Sequence, residues 1–142
     1  MTVRSILNEK GGTVFTMVPE ATVALVAQEL ATRKIGAVVV SDGDTIAGIL
    51  SERDVVRVLA ARGASALAAT ASSVMTANVQ TCALDDLIDD VMERMTRARF
   101  RHMPVVDEGK LVGLVSIGDV VKRRIDDAVR ERDDLRAYIM ST

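Results

Sequence analysis

The chain has 142 residues, 49% of them hydrophobic and 27% charged, with a net charge of −2 and only 2% aromatic residues. That length suits one compact domain or two small halves sharing a core, built from Val, Ile, Leu, Ala and Met. Phe15, Phe100 and Tyr138 are too few for a base-stacking platform, the acidic balance gives no broad positive field for a nucleic-acid backbone, and the single cysteine, Cys82, excludes an internal disulfide and a Cys-based zinc site.

The opening MTVRSILNEKGG is mixed and polar and does not read as a signal peptide, and no apolar run approaches the roughly 18 residues a spanning helix needs. A soluble cytoplasmic protein is expected, with neither membrane nor nucleic acid as partner. A short strand, Thr13–Met17, is followed by a turn at Pro19-Glu20. Val23, Val26, Ala27 and Leu30 then recur at helical spacing and mark one buried face. The β-branched run Ala37–Val40, the turn Ser41-Asp42-Gly43-Asp44 and Thr45–Leu50 predict a hairpin, and a second helix starts near Ser51. Ala61–Ala77 is rich in Ala, Ser and Gly and reads as helix end plus linker, with a short turn at Ser73–Thr76.

The same order then returns: a helix with Ile88, Val91, Met92 and Met95 on one face, a strand Met103–Val106, a turn at Asp107-Glu108-Gly109, a strand Lys110–Val115 and a helix from Ser116. Residues 14–59 and 79–124 align without a gap at a constant offset that takes Gly48 to Gly113, Ser51 to Ser116 and Asp54 to Asp119. The fold class that follows is α/β, two β-α-β-β-α repeats facing each other about a pseudo-two-fold axis, with function where the halves meet. The expected division is repeat one at 1–62, a linker at 63–78, repeat two at 79–125 and a C-terminal helical extension at 126–142. From Ile117 to Ile139 one long amphipathic helix is predicted, with Val121, Ile125, Ala128, Leu135 and Ile139 on a stripe interrupted by Arg132.

Gly48-Ile49-Leu50-Ser51-Glu52-Arg53-Asp54, repeated as Gly113-Leu114-Val115-Ser116-Ile117-Gly118-Asp119, resembles the cystathionine-beta-synthase (CBS) domain. Arg101-His102-Met103-Pro104-Val105-Val106 is similar to that family's entry into its second strand, and Val74-Met75-Thr76 to its pre-repeat signature. The resemblance covers about Val3 to Ile125, as a tandem pair or Bateman module. It implies a regulatory sensor that binds an adenine nucleotide (AMP, ADP, ATP or NAD(H)) and pairs into a homodimer. It also implies ligand contacts at Thr16, Ser51, Arg53 and Asp54 in copy one, and at Thr81, Arg101, His102, Met103, Pro104, Ser116, Gly118 and Asp119 in copy two. Asp54 and Asp119 would hold ribose hydroxyls, Ser51 and Ser116 phosphate, and Thr16 and Thr81 would border the adenine.

The chemistry of these residues allows two roles. A Ser between a strand and a helix sits beside free backbone N–H groups and the positive end of the helix dipole, which suits a phosphate. An Asp three residues on can accept two ribose hydroxyls. Ser-x-x-Asp is equally a helix capping box. Copy two carries Arg99, Arg101 and His102 before its central strand and Lys122, Arg123 and Arg124 after Asp119, whereas copy one has Ile35-Gly36-Ala37 at the matching place. Copy two is therefore expected to neutralise phosphate better. No nucleophile-base constellation, H-E-x-x-H, CxxC or Walker-type loop is present, so neither catalysis nor a metal site is expected. The alternative is a dimerisation scaffold that docks a client protein through the C-terminal helix.

Overall fold

The duplication is visible element by element. In the computed structural model, which describes Met1–Ser141, α1 (Val3–Lys10) and the two-residue strand β1 (Thr16–Met17) lead into α2 (Val23–Arg33), the hairpin β2 (Ala37–Asp42) and β3 (Thr45–Ser51), and α3 (Glu52–Arg62). A 3-10 stretch, Gly63–Ala68, and the single turn α4 (Ala71–Val74) lead to the second copy. There α5 (Ile88–Ala98), β4 (His102–Asp107) and β5 (Lys110–Ser116) precede α6 (Ile117–Met140), a helix of 24 residues. The chain is thus mixed α/β, with two repeats and the long C-terminal helix that the periodicity predicts. Each hairpin has the backbone its turn requires. Gly43 takes a φ of 61° in copy one, and Glu108 and Gly109 take 50° and 78° in copy two, two successive positive values as in a type I′ turn.

The opening strands fall short of the prediction. In copy one β1 pairs parallel to β2 only at Thr16↔Val39 and Met17↔Val40. In copy two the strand shrinks to one parallel bridge, Cys82↔Val105, the counterpart of Met17↔Val40. The cause is a proline. Val39 N–H donates to the Phe15 carbonyl at 3.1 Å in copy one, and Pro104, which stands at Val39's place, has no N–H to give.

The N-terminus, read as mixed and polar, forms α1, and Val3, Ile6 and Leu7 are buried on one side of it. The spacing i, i+3, i+4 was its only signal. Contacts divide the chain into two compact units that do not follow the order of the copies. One comprises Met1–Gly12, Thr81–Glu108 and the chain from Val112 onward; the other comprises Thr13–Gln80 with Gly109–Leu111. In the first unit, Val3, Ile6 and Leu7 of α1 share a core with Ile88, Val91 and Met95 of α5 and with Met103, Val105, Val115 and Val120. In the second, Val23, Val26 and Leu30 of α2 pack with Val38, Val40, Leu50, Val55 and Val58. The small residues Ala66 and Ala71 of the expected linker are fully buried in that core.

Two equivalent glycines let the leading segment of each copy cross the last strand of the other. A Cβ at Gly113 in β5 would lie 2.7 Å from the methyls of Leu7 in α1. A Cβ at Gly48 in β3 would lie 2.6 Å from both Met75 Sδ and the Thr76 carbonyl oxygen. Backbone pairing fixes the second crossing, since Ile49 N–H donates to Thr76 O at 3.0 Å and Thr76 N–H to Ile49 O at 2.9 Å.

Candidate functional site

Each copy ends its last strand on a serine and starts a helix at the next residue. Ser51 Oγ accepts from Asp54 N–H at 3.3 Å, and Asp54 Oδ2 accepts from Ser51 N–H at 2.9 Å. Ser116 Oγ accepts from Asp119 N–H at 3.1 Å, and Asp119 Oδ2 accepts from Ser116 N–H at 2.9 Å. Both copies therefore build the full capping box. One further backbone bond ties each corner to the residue that precedes the first strand of its hairpin: Glu52 N–H donates to Gly36 O at 2.9 Å, and Ile117 N–H to Arg101 O at 2.8 Å. The two corners share these bonds, Ser51 Oγ in addition donating to Asp54 Oδ2 at 3.1 Å, and each presents a serine hydroxyl and a carboxylate at the positive end of a helix.

Their surroundings differ. Asp54 is buried, and its Oδ1 accepts from Arg57 of the same helix at 2.8 Å. Asp119 is half-buried, and its Oδ2 accepts from Lys10 Nζ at 2.7 Å, while the same ammonium donates to Leu114 O at 3.0 Å. Burial pushes the Asp119 carboxyl upward, but the hydrogen bonds and charge of Lys10 and the bonds from Ser116 outweigh it. The net result is a pKa below the ordinary Asp value. A cavity of about 230 Å³ opens here, lined by Ile6, Glu9, Lys10, Asp119, Lys122 and Arg123. Nothing in the sequence near Asp119 announces Lys10, because only the fold of α1 against the second copy brings it there.

The basic residues that follow Asp119 are engaged with carboxylates. Lys122 lies 3.6 Å from Glu9, Arg123 lies 3.3 Å from Glu9 and 3.0 Å from Asp127, and Arg124 lies 3.0 Å from Asp89. Helical spacing turns them toward the acidic residues of α1, α5 and α6 itself. The cation that reaches the Asp119 carboxylate is Lys10.

The other expected contacts fall into the same two units. Thr16 is exposed on β1, opposite Val39, and Arg53 is exposed in the first turn of α3. Together with Ser51 and Asp54 they belong to one unit, and the eight expected residues of copy two belong to the other. Thr81 is exposed, and its carbonyl accepts from Arg94 at 2.8 Å. Arg101 is exposed, and half-buried His102 opens β4. Met103 is fully buried in the core, and the carbonyl of buried Pro104 accepts from Cys82 N–H at 2.9 Å. Gly118 is exposed in the first turn of α6, where a Cβ would meet only Ser116 Oγ at 3.6 Å, so sterics do not demand glycine.

Burial, then the charge of Asp86, push the Cys82 thiol up to about 11 against the opposing pull of Arg94, which makes it a poor nucleophile. Among the described residues no cluster of three His, Cys, Asp or Glu side chains could hold a metal ion, and no helix is long and apolar enough to cross a membrane.

Two copies, β-α-β-β-α in the first and α-β-β-α with one leading bridge in the second, each close on a Ser/Asp-capped helix and define a tandem α/β repeat module. The family model for the CBS domain matches residues 3–61 and again 71–126, and the chain belongs to the CBS domain family as a tandem pair. It is similar to the mitochondrial CBS domain-containing protein CBSX3 of Arabidopsis thaliana, at 29% identity over 97% of this chain and 71% of the relative. Among solved structures, a CBS-domain containing protein from Agrobacterium tumefaciens superposes with a TM-score of 0.85 at 44% identity, covering 87% of this chain and 99% of that one. A CBS domain protein from Pyrobaculum aerophilum, solved in complex with AMP, superposes with a TM-score of 0.74 at 28% identity, covering 84% and 89%.

Proposed function

We propose that the chain is a regulatory module that binds an adenine nucleotide at its Ser/Asp corners and carries no chemistry of its own. The observation behind this reading is the same capping box and backbone tie built twice. A capping box alone asks for nothing more than a stable helix, but here it recurs with the same backbone tie to the start of the hairpin in both copies. The AMP-bound relative from Pyrobaculum aerophilum supports the ligand class. In this reading Asp54 and Asp119 accept ribose hydroxyls, each charge-assisted bond contributing roughly 1.5–3 kcal/mol. Ser51 and Ser116 with the helix N-termini receive phosphate, and Thr16, Arg53, Thr81, Arg101, His102 and Gly118 line the approach. Met103 and Pro104 contribute through backbone position, because their side chains are buried. The ligand set is AMP, ADP, ATP and NAD(H), which share the adenosine and 5′-phosphate handle, and the working form is a cytoplasmic homodimer.

A thermal-shift panel of AMP, ADP, ATP, NAD, NADH and S-adenosylmethionine tests the proposal. A ligand at 100 times its dissociation constant adds about 2.7 kcal/mol of apparent stability; no shift with any of the six sinks the reading. The exposed stripe on α6 favours a second reading, a scaffold that docks a client protein. An Asp54→Ala, Asp119→Ala double variant that still folds and still does the protein's cellular work would select the scaffold.

A further inference from the structure

Seven large apolar side chains that stand in water belong to one element, α6: Val121, Ile125, Val129, Leu135, Tyr138, Ile139 and Met140. Their order is regular. Val121, Ile125, Ala128, Arg132, Leu135 and Ile139 follow one another at alternating steps of four and three residues, the d and a positions of a heptad seam. Ile125, Leu135 and Ile139 are 57%, 59% and 61% exposed, and every residue from Ala128 to Met140 is exposed. A helix draws most of its stability from packing its apolar face.

We infer that this seam is closed by α6 of a second copy, as a parallel, in-register two-stranded coiled coil. Charge selects the occupant and the direction. Glu131 takes the g position and Arg136 the next e position, so a parallel pair sets Glu131 of each copy against Arg136 of the other, twice by symmetry. Arg132, the one polar residue at an a position, faces Arg132 of the opposite helix across the seam and lies beside that helix's Glu131, which offsets the like charge. Its guanidinium is drawn aside by Asp133 of its own chain at 3.2 Å, which leaves its stem on the seam. Ala128 at d lets the backbones approach closely. An antiparallel pair in the register that matches Ile125 with Leu135 instead sets Glu131 against Glu131 and Lys122 against Arg136, like charges at both contacts. The inference stands apart from the nucleotide reading, since no residue of the Ser/Asp corners takes part.

The test uses the full chain and two readouts. Leu135→Cys, oxidised under mild conditions, forms a disulfide between copies, whereas Asp134→Cys, one residue away and facing outward, does not; buried Cys82 stays out of the exchange. In sedimentation equilibrium, Glu131→Arg weakens dimerisation about tenfold or more, and the exchanged pair Glu131→Arg, Arg136→Glu regains most of it. Circular dichroism confirms that these exposed substitutions leave the fold intact. Equal cross-linking at the two positions, no cross-linking at Leu135→Cys, a dimerisation constant unmoved by Glu131→Arg, or an exchanged pair as weak as the single variant would each overturn the proposal. A chain that stays monomeric would overturn it too.

Discussion

At Asp119 a single carboxylate caps α6, pairs with a lysine from the far end of the sequence and faces a cavity. The capping half of this arrangement was legible, because Ser-x-x-Asp at a strand-to-helix junction has a local mechanism. The lysine was not, because Lys10 arrives through tertiary folding alone. Its presence sets a pH dependence. The folded pKa of Asp119 is lowered, so its contribution to stability is complete above the unfolded value of about 3.9 and is lost as pH falls through the folded value. Urea unfolding midpoints between about pH 5 and pH 2 are expected to drop along this limb. Lys10→Met is expected to shift the loss toward higher pH by removing the main group that lowers the carboxyl. A limb that is unchanged in that variant would mean Lys10 does not hold Asp119 in solution.

At the scale of elements, Gly48 and Gly113 occupy equivalent positions but are crossed by different matter. At Gly48 the close atoms include the Thr76 carbonyl, which is locked to Ile49 by two backbone hydrogen bonds; at Gly113 they are the methyl ends of a leucine. Gly48→Ala is therefore expected to lose about 1–3 kcal/mol, the cost of forcing backbone apart. Gly113→Ala is expected to lose less, because Leu7 can change rotamer. Chemical denaturation of the two variants measures the difference, and equal losses would contradict it. The helices α2 and α5 were legible from period alone, since Val23, Val26 and Leu30 and then Ile88, Val91 and Met95 repeat over about two turns and are buried as predicted. α1 was hidden by brevity, with three apolar residues in eight. The crossing over Gly48 and Gly113 was beyond reach, because a glycine in a strand does not say what passes over it.

At the scale of the whole molecule, neither unit is a continuous piece of chain. The unit holding copy two takes Val3, Ile6 and Leu7 from α1, and each fully buried apolar side chain of that size contributes roughly 1.5–3 kcal/mol. Losing all three removes an amount comparable to the full stability of a small domain, about 5–15 kcal/mol. A fragment spanning residues 13–80 is expected to fold more readily than one spanning 79–142. A synthetic peptide of residues 1–12 added to the latter is expected to restore cooperative melting by circular dichroism. A 79–142 fragment that melts cooperatively by itself would show that α1 is dispensable.

That borrowing also speaks to how such a chain could have arisen. A single ancestral copy would carry a leading segment with no place to pack on its own strands, because the glycine it crosses belongs to the other copy. Two such molecules would satisfy each other by exchanging these segments, a swapped dimer in the usual sense. Joining them head to tail would preserve both exchanges within one polypeptide, and the Leu7–Gly113 and Thr76–Ile49 crossings are where that exchange is still written.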